Sequence, residues 1–417
     1  MSDEALRRAA LEYHAEPRPG KIGTHVFKPA ESSRDLSLAY SPGVAEPVLA
    51  IAADAEAAYR YTNKGNLIGI VTDGSAILGL GNLGPLASKP VMEGKALLFK
   101  RFADLDCVDI EVDANDPKDF IDTVARIADS FGGINIEDVA APQCFEIEAA
   151  LRARCKVPVF HDDQHGTAIC VVAGLLNALE IQGKKLADVR VVCLGSGAAG
   201  TATLRLLRAM GAPVEHLTAV DRQGVIHAGR DNLPDYKAEF ARHTELRTLA
   251  DALRGADVFL GVSGANLLEP ALLKSMAPQP VIFALANPDP EIRPEAAHAV
   301  RNDVIVATGR SDFPNQVNNV LCFPFIFRGA LDVRASTIDD GMKVAAAHAI
   351  AQLAKESVPA EVLAAYPNVA SLHFGPEYIL PKPMDPRLRD RVAAAVADAA
   401  VRSGVARLPY PVHYPKI

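Results

Sequence analysis

Val189-Arg190-Val191-Val192-Cys193-Leu194-Gly195-Ser196-Gly197-Ala198-Ala199-Gly200 is the stretch on which the fold turns. A β-branched apolar run ends in glycines spaced G-x-G-x-x-G, and the next residues read as a helix to Gly211 and a strand ending at Asp221. Gly195 suits the tight turn, Gly197 lets backbone approach a pyrophosphate at the helix N-terminus, and Gly200 lets helix and strand pack closely. Gly195, Ser196, Gly197, Ala198, Ala199 and Gly200 are therefore the candidate phosphate-binding loop. Asp221 stands at the distance, about 20 residues, where a dinucleotide fingerprint places an acid on the ribose hydroxyl. Arg222 beside it has the charge to pair a 2′-phosphate, so NAD and NADP both stay open. The competing reading, a glycine-rich turn without ligand, has no reason for the strand, the helix and the acid at their spacing.

Outward from this stretch, strand and helix alternate. Upstream, strands are predicted over 66–71 and 108–112, then into Glu137-Asp138 and into Asp162-Asp163, with an apolar helix from His165 to Leu179. A helix is also predicted from Pro47 to Tyr59, and Gly74, Gly79, Gly81 and Gly84 make a glycine-dense loop. Downstream, strands are predicted over 258–262, 281–286 and 304–307, and helices from Asn319 onward, the last with Asp385 as N-cap, Pro386 in its first turn and Gly404 after its end. The expected class is α/β: an N-terminal α/β substrate and metal domain (1–164), a Rossmann-type dinucleotide-binding domain with C-terminal helices (165–400) and a tail (401–417).

Composition narrows the function. Across 417 residues the hydrophobic share is 49% and the charged share 23%, as in a soluble globular protein. The net charge of -8 has no long single-sign run behind it, so no nucleic-acid partner is expected. No uncharged apolar run is long enough for a bilayer, the N-terminus Met1-Ser2-Asp3-Glu4 lacks a basic or apolar leader, and a cytoplasmic location is expected. Cys107, Cys144, Cys155, Cys170, Cys193 and Cys322 sit in apolar contexts without a Cys-x-x-Cys pair, and read as reduced core residues. Pro17-Arg18-Pro19-Gly20 leaves the first 30 residues as an arm of the kind that serves dimer contacts.

The acidic pairs carry the chemistry. Gly133-Ile134-Asn135-Ile136-Glu137-Asp138 and Pro158-Val159-Phe160-His161-Asp162-Asp163 each end a buried strand in carboxylates. Like charges grouped there cost energy unless a cation neutralises them, and oxygen ligands alone suit Mg²⁺ or Mn²⁺. Taken singly, Asp138 or Asp162 also reads as a solvated charge or a helix cap. His161 and His165 read as neighbours of the ligands. Lys95, amid apolar residues, is expected to have a lowered pKa and to serve as a base, although a lone lysine more often snorkels. Asn287 and Asn319 suit a ribose, a nicotinamide amide or a carboxylate, with turn chemistry as the competing reading.

Leu38-Ala39-Tyr40-Ser41-Pro42-Gly43-Val44-Ala45, Leu78-Gly79-Leu80-Gly81-Asn82-Leu83-Gly84, Lys89-Pro90-Val91-Met92-Glu93-Gly94-Lys95, Phe160-His161-Asp162-Asp163-Gln164-His165-Gly166-Thr167 and Gln316-Val317-Asn318-Asn319-Val320-Leu321-Cys322-Phe323-Pro324 closely resemble the bacterial malic enzymes from about residue 15 to at least 350. The resemblance implies NAD- or NADP-dependent oxidative decarboxylation of (S)-malate to pyruvate and CO₂ with Mg²⁺ or Mn²⁺, oxaloacetate decarboxylation as a side activity, and a homodimer or higher homo-oligomer. It implies Glu137, Asp138 and Asp163 as metal ligands, Lys95 as general base, Tyr40 as general acid, Asp162 as a carboxylate beside the base, and Asn287 and Asn319 as contacts to substrate or nicotinamide. Larger eukaryotic relatives have a substrate-binding arginine where this chain has Ala76. Two other readings stand beside it: an idle module that senses a cofactor or metabolite, and an oxidoreductase of another 2-hydroxy acid or an amino acid. Some bacterial malic enzymes continue into a phosphotransacetylase-like domain, so this sequence is either a short form or the front of a longer one.

Overall fold

The computed structural model describes residues 3–114, 116–366, 369 and 371–416. Met1, Ser2 and Ile417, at the two ends, fall outside the described residues.

Two sheets organise the chain. The first holds β1 (Leu67–Thr72), β2 (Asp106–Glu111), β3 (Gly133–Ile136) and β4 (Val159–His161), all parallel in the order β2-β1-β3-β4. The second holds β5 (Val191–Leu194), β6 (Leu217–Asp221), β7 (Gly224–Val225), β8 (Val258–Gly261), β9 (Val281–Ala284) and β10 (Ile305–Thr308), in the order β10-β9-β8-β5-β6-β7. Only β7 runs antiparallel, folding back on β6. From β5 the chain moves outward to β6 and later returns to β8 on the other side, which puts the topological switch point between β5 and β8.

The central strands β5, β8 and β9 read as unbroken apolar runs because both their faces are covered, whereas the edge strand β2 carries Asp106, Asp109 and Glu111 and is only half-buried. Along β5, Val191 and Cys193 join one core, while Val192 and Leu194 join another on the opposite face. The largest core runs between the sheets: Ile68 and Ile70 of β1, Phe160 of β4 and Phe283 of β9 belong to one apolar cluster. Phe99 meets Phe323 and Phe327 edge-on at 4.8 and 5.5 Å between ring centres, and Phe160 meets Phe327 at 5.8 Å. Each fully buried ring contributes about 2 kcal/mol by removal from water, so this knot fixes the helices Pro85–Ala103 and Phe323–Asp332 against β4. The helix Asp162–Ile181 is buried along most of its length.

Some boundaries differ from those predicted. The 47–59 helix is instead a helix over Ala45–Ala53, a 3₁₀ turn and a short helix over Ala58–Tyr61. Asp54 breaks it by adopting an extended backbone and accepting the Glu56 N–H with its side chain, the competition that makes aspartate a cap. The helix predicted from His165 begins at Asp162, since carboxylates in a first turn are favoured by the helix dipole. The last helix starts at Arg387, with Pro386 as cap residue and Asp385 accepting the Arg387 N–H. Among the described residues no helix is long and apolar enough to cross a membrane, and all six cysteines are free.

Candidate active site

β3 and β4 are neighbours in register, with Ile136 opposite His161. The next residues of each, Glu137-Asp138 and Asp162-Asp163, therefore leave the sheet side by side at its carboxyl edge, separated at first only by the spacing between strands of about 4.8 Å. Glu137, Asp138 and Asp163 converge so that one oxygen from each lies within 4.8 Å of the others. Asp138 has a left-handed backbone (φ 52°), a conformation that aspartate tolerates, and its N–H donates to Asp163 Oδ2 at 2.9 Å. Asn135 Nδ2 donates to Glu137 Oε2 at 2.9 Å. Asp138 Oδ2 is buried without a hydrogen-bond donor.

Such a cluster fits a hard divalent cation. Burial, with the charge of Asp163 next, raises the Asp138 carboxyl to about 7. Burial also pushes Glu137 well above the carboxylate range, against the pull of Lys95. Groups this reluctant to ionise, one of them with an oxygen lacking any donor, are what a 2+ charge at their centre would satisfy.

Asp162 points elsewhere. Lys95, on the Pro85–Ala103 helix, donates to Asp162 Oδ2 at 2.7 Å and lies 2.8 Å from Glu137 Oε1, its ammonium 4.1 Å from the Phe323 ring centre. The expectation of a lowered pKa for Lys95 does not hold in this structure. Burial does lower it, but the charges of Asp162, Glu137 and Asp163 outweigh burial and hold the group above its ordinary value. Asn319 Nδ2 donates to Asp162 Oδ2 at 3.3 Å, and Thr167 Oγ1 donates to Asn319 Oδ1 at 3.1 Å, so the second part of the chain touches the site at Asp162. Gly166 makes room for this: a Cβ there would sit 1.8 Å from Asp162 Oδ1.

The candidate phosphate loop has the glycines such a loop needs. Gly195 has a positive φ of 112°, and a Cβ there would meet the Val262 carbonyl oxygen at 2.7 Å, at the switch point between β5 and β8. Ser196 and Gly197 complete the turn, and Ala198 opens the helix Ala198–Ala209 that continues through Ala199 and Gly200. Asn287 follows β9, its carbonyl facing Gly79 of the glycine-dense loop.

Asp221 is already engaged. Arg230 donates to both its oxygens at 2.9 and 3.0 Å, Lys237 Nζ donates at 2.7 Å and the Gln223 N–H at 2.9 Å. Burial raises its pKa, but the bonds from Arg230 and Lys237 win and hold it at about 2. Arg222 is exposed beside it.

Tyr40 stands apart. It is 76% exposed at the end of the helix Ser33–Ala39 and, among the described residues, makes no hydrogen bond with Lys95 or the carboxylates. Ala76 donates its N–H to the Asp138 carbonyl at 2.9 Å.

Sequence reasoning passed over several contributors. Glu291 is fully buried and accepts the N–H groups of Ser263 at 2.9 Å and Ala286 at 3.1 Å, tying together the loops after β8 and β9. Glu148 accepts from Gln164 and pairs with His165 at 2.8 Å. No motif links either acid to its partners. Arg230 and Lys237 carry the one available signal, two cations within 16 residues of Asp221.

The comparisons with known proteins fit this geometry. Residues 19–152 match the family model described as "Malic enzyme, N-terminal domain", and residues 164–374 match "Malic enzyme, NAD binding domain". The chain is 63% identical over 412 residues to a NADP-dependent malic enzyme of Halomonas elongata, covering 99% of this chain and 97% of that one. It is 56% identical to a NADP-dependent malic enzyme of Rhizobium meliloti over 96% of this chain, but spans only 53% of that protein. The crystal structure of malic enzyme from Pyrococcus horikoshii Ot3 superposes with a TM-score of 0.88 at 45% identity, over 97% of this chain and 92% of that one.

Proposed function

The chain belongs to the malic enzyme family, which oxidatively decarboxylates malate to pyruvate and CO₂ with reduction of NAD(P)⁺, and we propose that the carboxylate cluster and Lys95 divide that work. One observation carries the proposal: a buried lysine held between Glu137 and Asp162, beside three carboxylates that converge on one point. Glu137, Asp138 and Asp163 hold the cation, within the N-terminal unit that we bound at residue 164. When bound, Mg²⁺ or Mn²⁺ supplies Lewis acidity toward the substrate's C2 oxygen, and the cofactor takes up the C2 hydride. Lys95 moves the C2 hydroxyl proton. A cation held by Glu137, Asp138 and Asp163 would offset the charges that keep Lys95 protonated. Asp162 and Asn319 orient the lysine, Asn287 faces the substrate or nicotinamide, and Tyr40 returns a proton to C3. Initial rates with malate, Mn²⁺ and each cofactor test the whole; absence of malate-dependent reduction would sink it.

For the cofactor, we propose NADP⁺. Asp221, the acid that would bind a free ribose hydroxyl, has both oxygens occupied by Arg230 and Lys237. With Arg222 the group carries three cations against one acid, a setting for a 2′-phosphate. Charge-assisted bonds contribute about 1.5–3 kcal/mol, so the double variant Arg230→Ala, Lys237→Ala is expected to raise KM for NADP⁺ by roughly 10- to 100-fold. Its kcat/KM with NAD⁺ should hold or improve, as Asp221 is released. Equal loss with both cofactors would contradict the assignment.

The active form is proposed to be a homodimer or higher homo-oligomer. Leu36, Leu38, Tyr40, Val48 and Leu49, on and between the helices Ser33–Ala39 and Ala45–Ala53, are each at least 58% exposed, an apolar surface that a second copy would cover. Contact with that copy would also give Tyr40 a route to a site. Sedimentation as a monomer at every working concentration would exclude this. The six free cysteines fit a reducing compartment, the cytoplasm, which cell fractionation would check.

A further inference from the structure

A second charged cavity, of about 560 Å³, opens behind the site between the helices Gln143–Arg154, Ala198–Ala209 and Asp340–Leu353. Its walls carry four cations, Arg152, Arg205, Arg208 and Lys343, and two acids, Glu148 and Asp340. Both acids are engaged, Glu148 with His165 and Gln164, and Asp340 with Lys343 at 3.1 Å. Arg152 has only neutral partners for its hydrogen bonds, the Ile338 carbonyl at 3.0 Å and Thr337 Oγ1 at 3.4 Å. Arg205 and Arg208 share Glu239, which lies outside the lining. A hollow left over from packing is apolar, whereas this one falls in the size range of small-molecule sites and has cations in excess.

We propose that this cavity binds a small organic anion bearing two or more carboxylate or phosphate groups, and that its occupation strengthens metal binding at the active site. Guanidinium forks from two helices match such groups two bonds at a time. The cavity is distinct from the phosphate loop, since Arg205 and Arg208 lie about 8 and 12 Å along their helix from Gly200. The link to the metal runs through Glu148, whose partners Gln164 and His165 follow Asp163 directly on the Asp162–Ile181 helix. An anion that neutralises Arg152 and Lys343 also removes positive charge from behind the cation's ligands, and the sign is therefore favourable to the cation. By reciprocity the metal favours the anion equally. Binding stands apart from the malate reading; the coupling rests on Glu137, Asp138 and Asp163 being the ligands.

Calorimetric titration of the full chain, with saturating Mg²⁺ and NADP⁺, tests this with two probes: tricarballylate, three carboxylates without a hydroxyl, and inorganic phosphate. At least one is expected to bind with Kd of about 1 mM or tighter, the responding probe showing whether the natural anion is a carboxylate or a phosphate. The double variant Arg152→Gln, Arg208→Gln should weaken it by about tenfold or more, with malate turnover in its absence within about twofold of the unaltered protein. Arg208→Gln alone, on a helix surface, should weaken it in part, so that misfolding of the double variant is told apart from loss of the site. The bound probe should also lower KM for Mn²⁺ by about two- to fivefold. No binding by either probe, unchanged binding by the variants, or displacement by malate or NADP⁺ would overturn the site. Binding with no change in KM for Mn²⁺ would overturn the coupling alone.

Discussion

Lys95→Ala is expected to lower kcat for malate oxidation by about 10²- to 10⁴-fold, the usual worth of a positioned general base, while cofactor affinity stays near that of the unaltered enzyme. Among the described residues no second cation pairs with Glu137 or Asp162 to replace the ammonium, which lies within 2.8 Å of both. The change also leaves two buried carboxylates without their cation, so some loss of stability accompanies it, of order 3 kcal/mol before the site relaxes by taking up a proton. Stability and chemistry separate in one measurement: a small amine added to the folded variant should restore part of the rate if a proton acceptor was lost, and none if the site collapsed. Turnover close to that of the unaltered enzyme would remove Lys95 from the mechanism.

Asp163→Ala should abolish metal-dependent decarboxylation and weaken Mn²⁺ binding by about 10²-fold, whereas Asp162→Asn should keep most of the metal affinity and lose rate. The division comes from where the two neighbours point: Asp163 converges with Glu137 and Asp138, and Asp162 binds Lys95 and Asn319. In the unaltered protein, metal affinity should rise with pH through about 7, where the Asp138 carboxyl gives up its proton. The sign is fixed because the cation binds the ionised form and displaces the proton. Mn²⁺ titration followed by electron paramagnetic resonance reads all three. Equal loss of metal affinity by both variants would show that Asp162 is a ligand as well.

Part of this was legible in the sequence for a physical reason. Parallel strands display their ends at one edge, so apolar runs that stop in Glu137-Asp138 and Asp162-Asp163 already predict neighbouring carboxylates. The G-x-G-x-x-G turn likewise announces itself, since close approach admits no side chain at Gly195. What could not be read is the balance of opposing terms. Lys95 is buried, which alone lowers its pKa, but the decisive charges come from residues 42 and 67 positions away, and only the fold brings them together. Asp221 shows the same limit, because Arg230 and Lys237, 9 and 16 residues further on, occupy both its oxygens, which its place after β6 alone does not reveal. The glutamates 148 and 291 work through backbone and histidine partners that no motif encodes.

The void beside Asp162 reaches into the tolerance of the sequence itself. Residue 166 is neither one of the converging carboxylates nor part of the G-x-G-x-x-G turn, yet the smallest side chain would have to occupy the space of Asp162 Oδ1. In a saturation library selected for activity, position 166 should behave like a ligand position and return glycine alone, while the surfaces of the same helix accept many exchanges. A survey of tolerated substitutions would thus score as essential a residue with no chemistry of its own, whose contribution is the room it leaves.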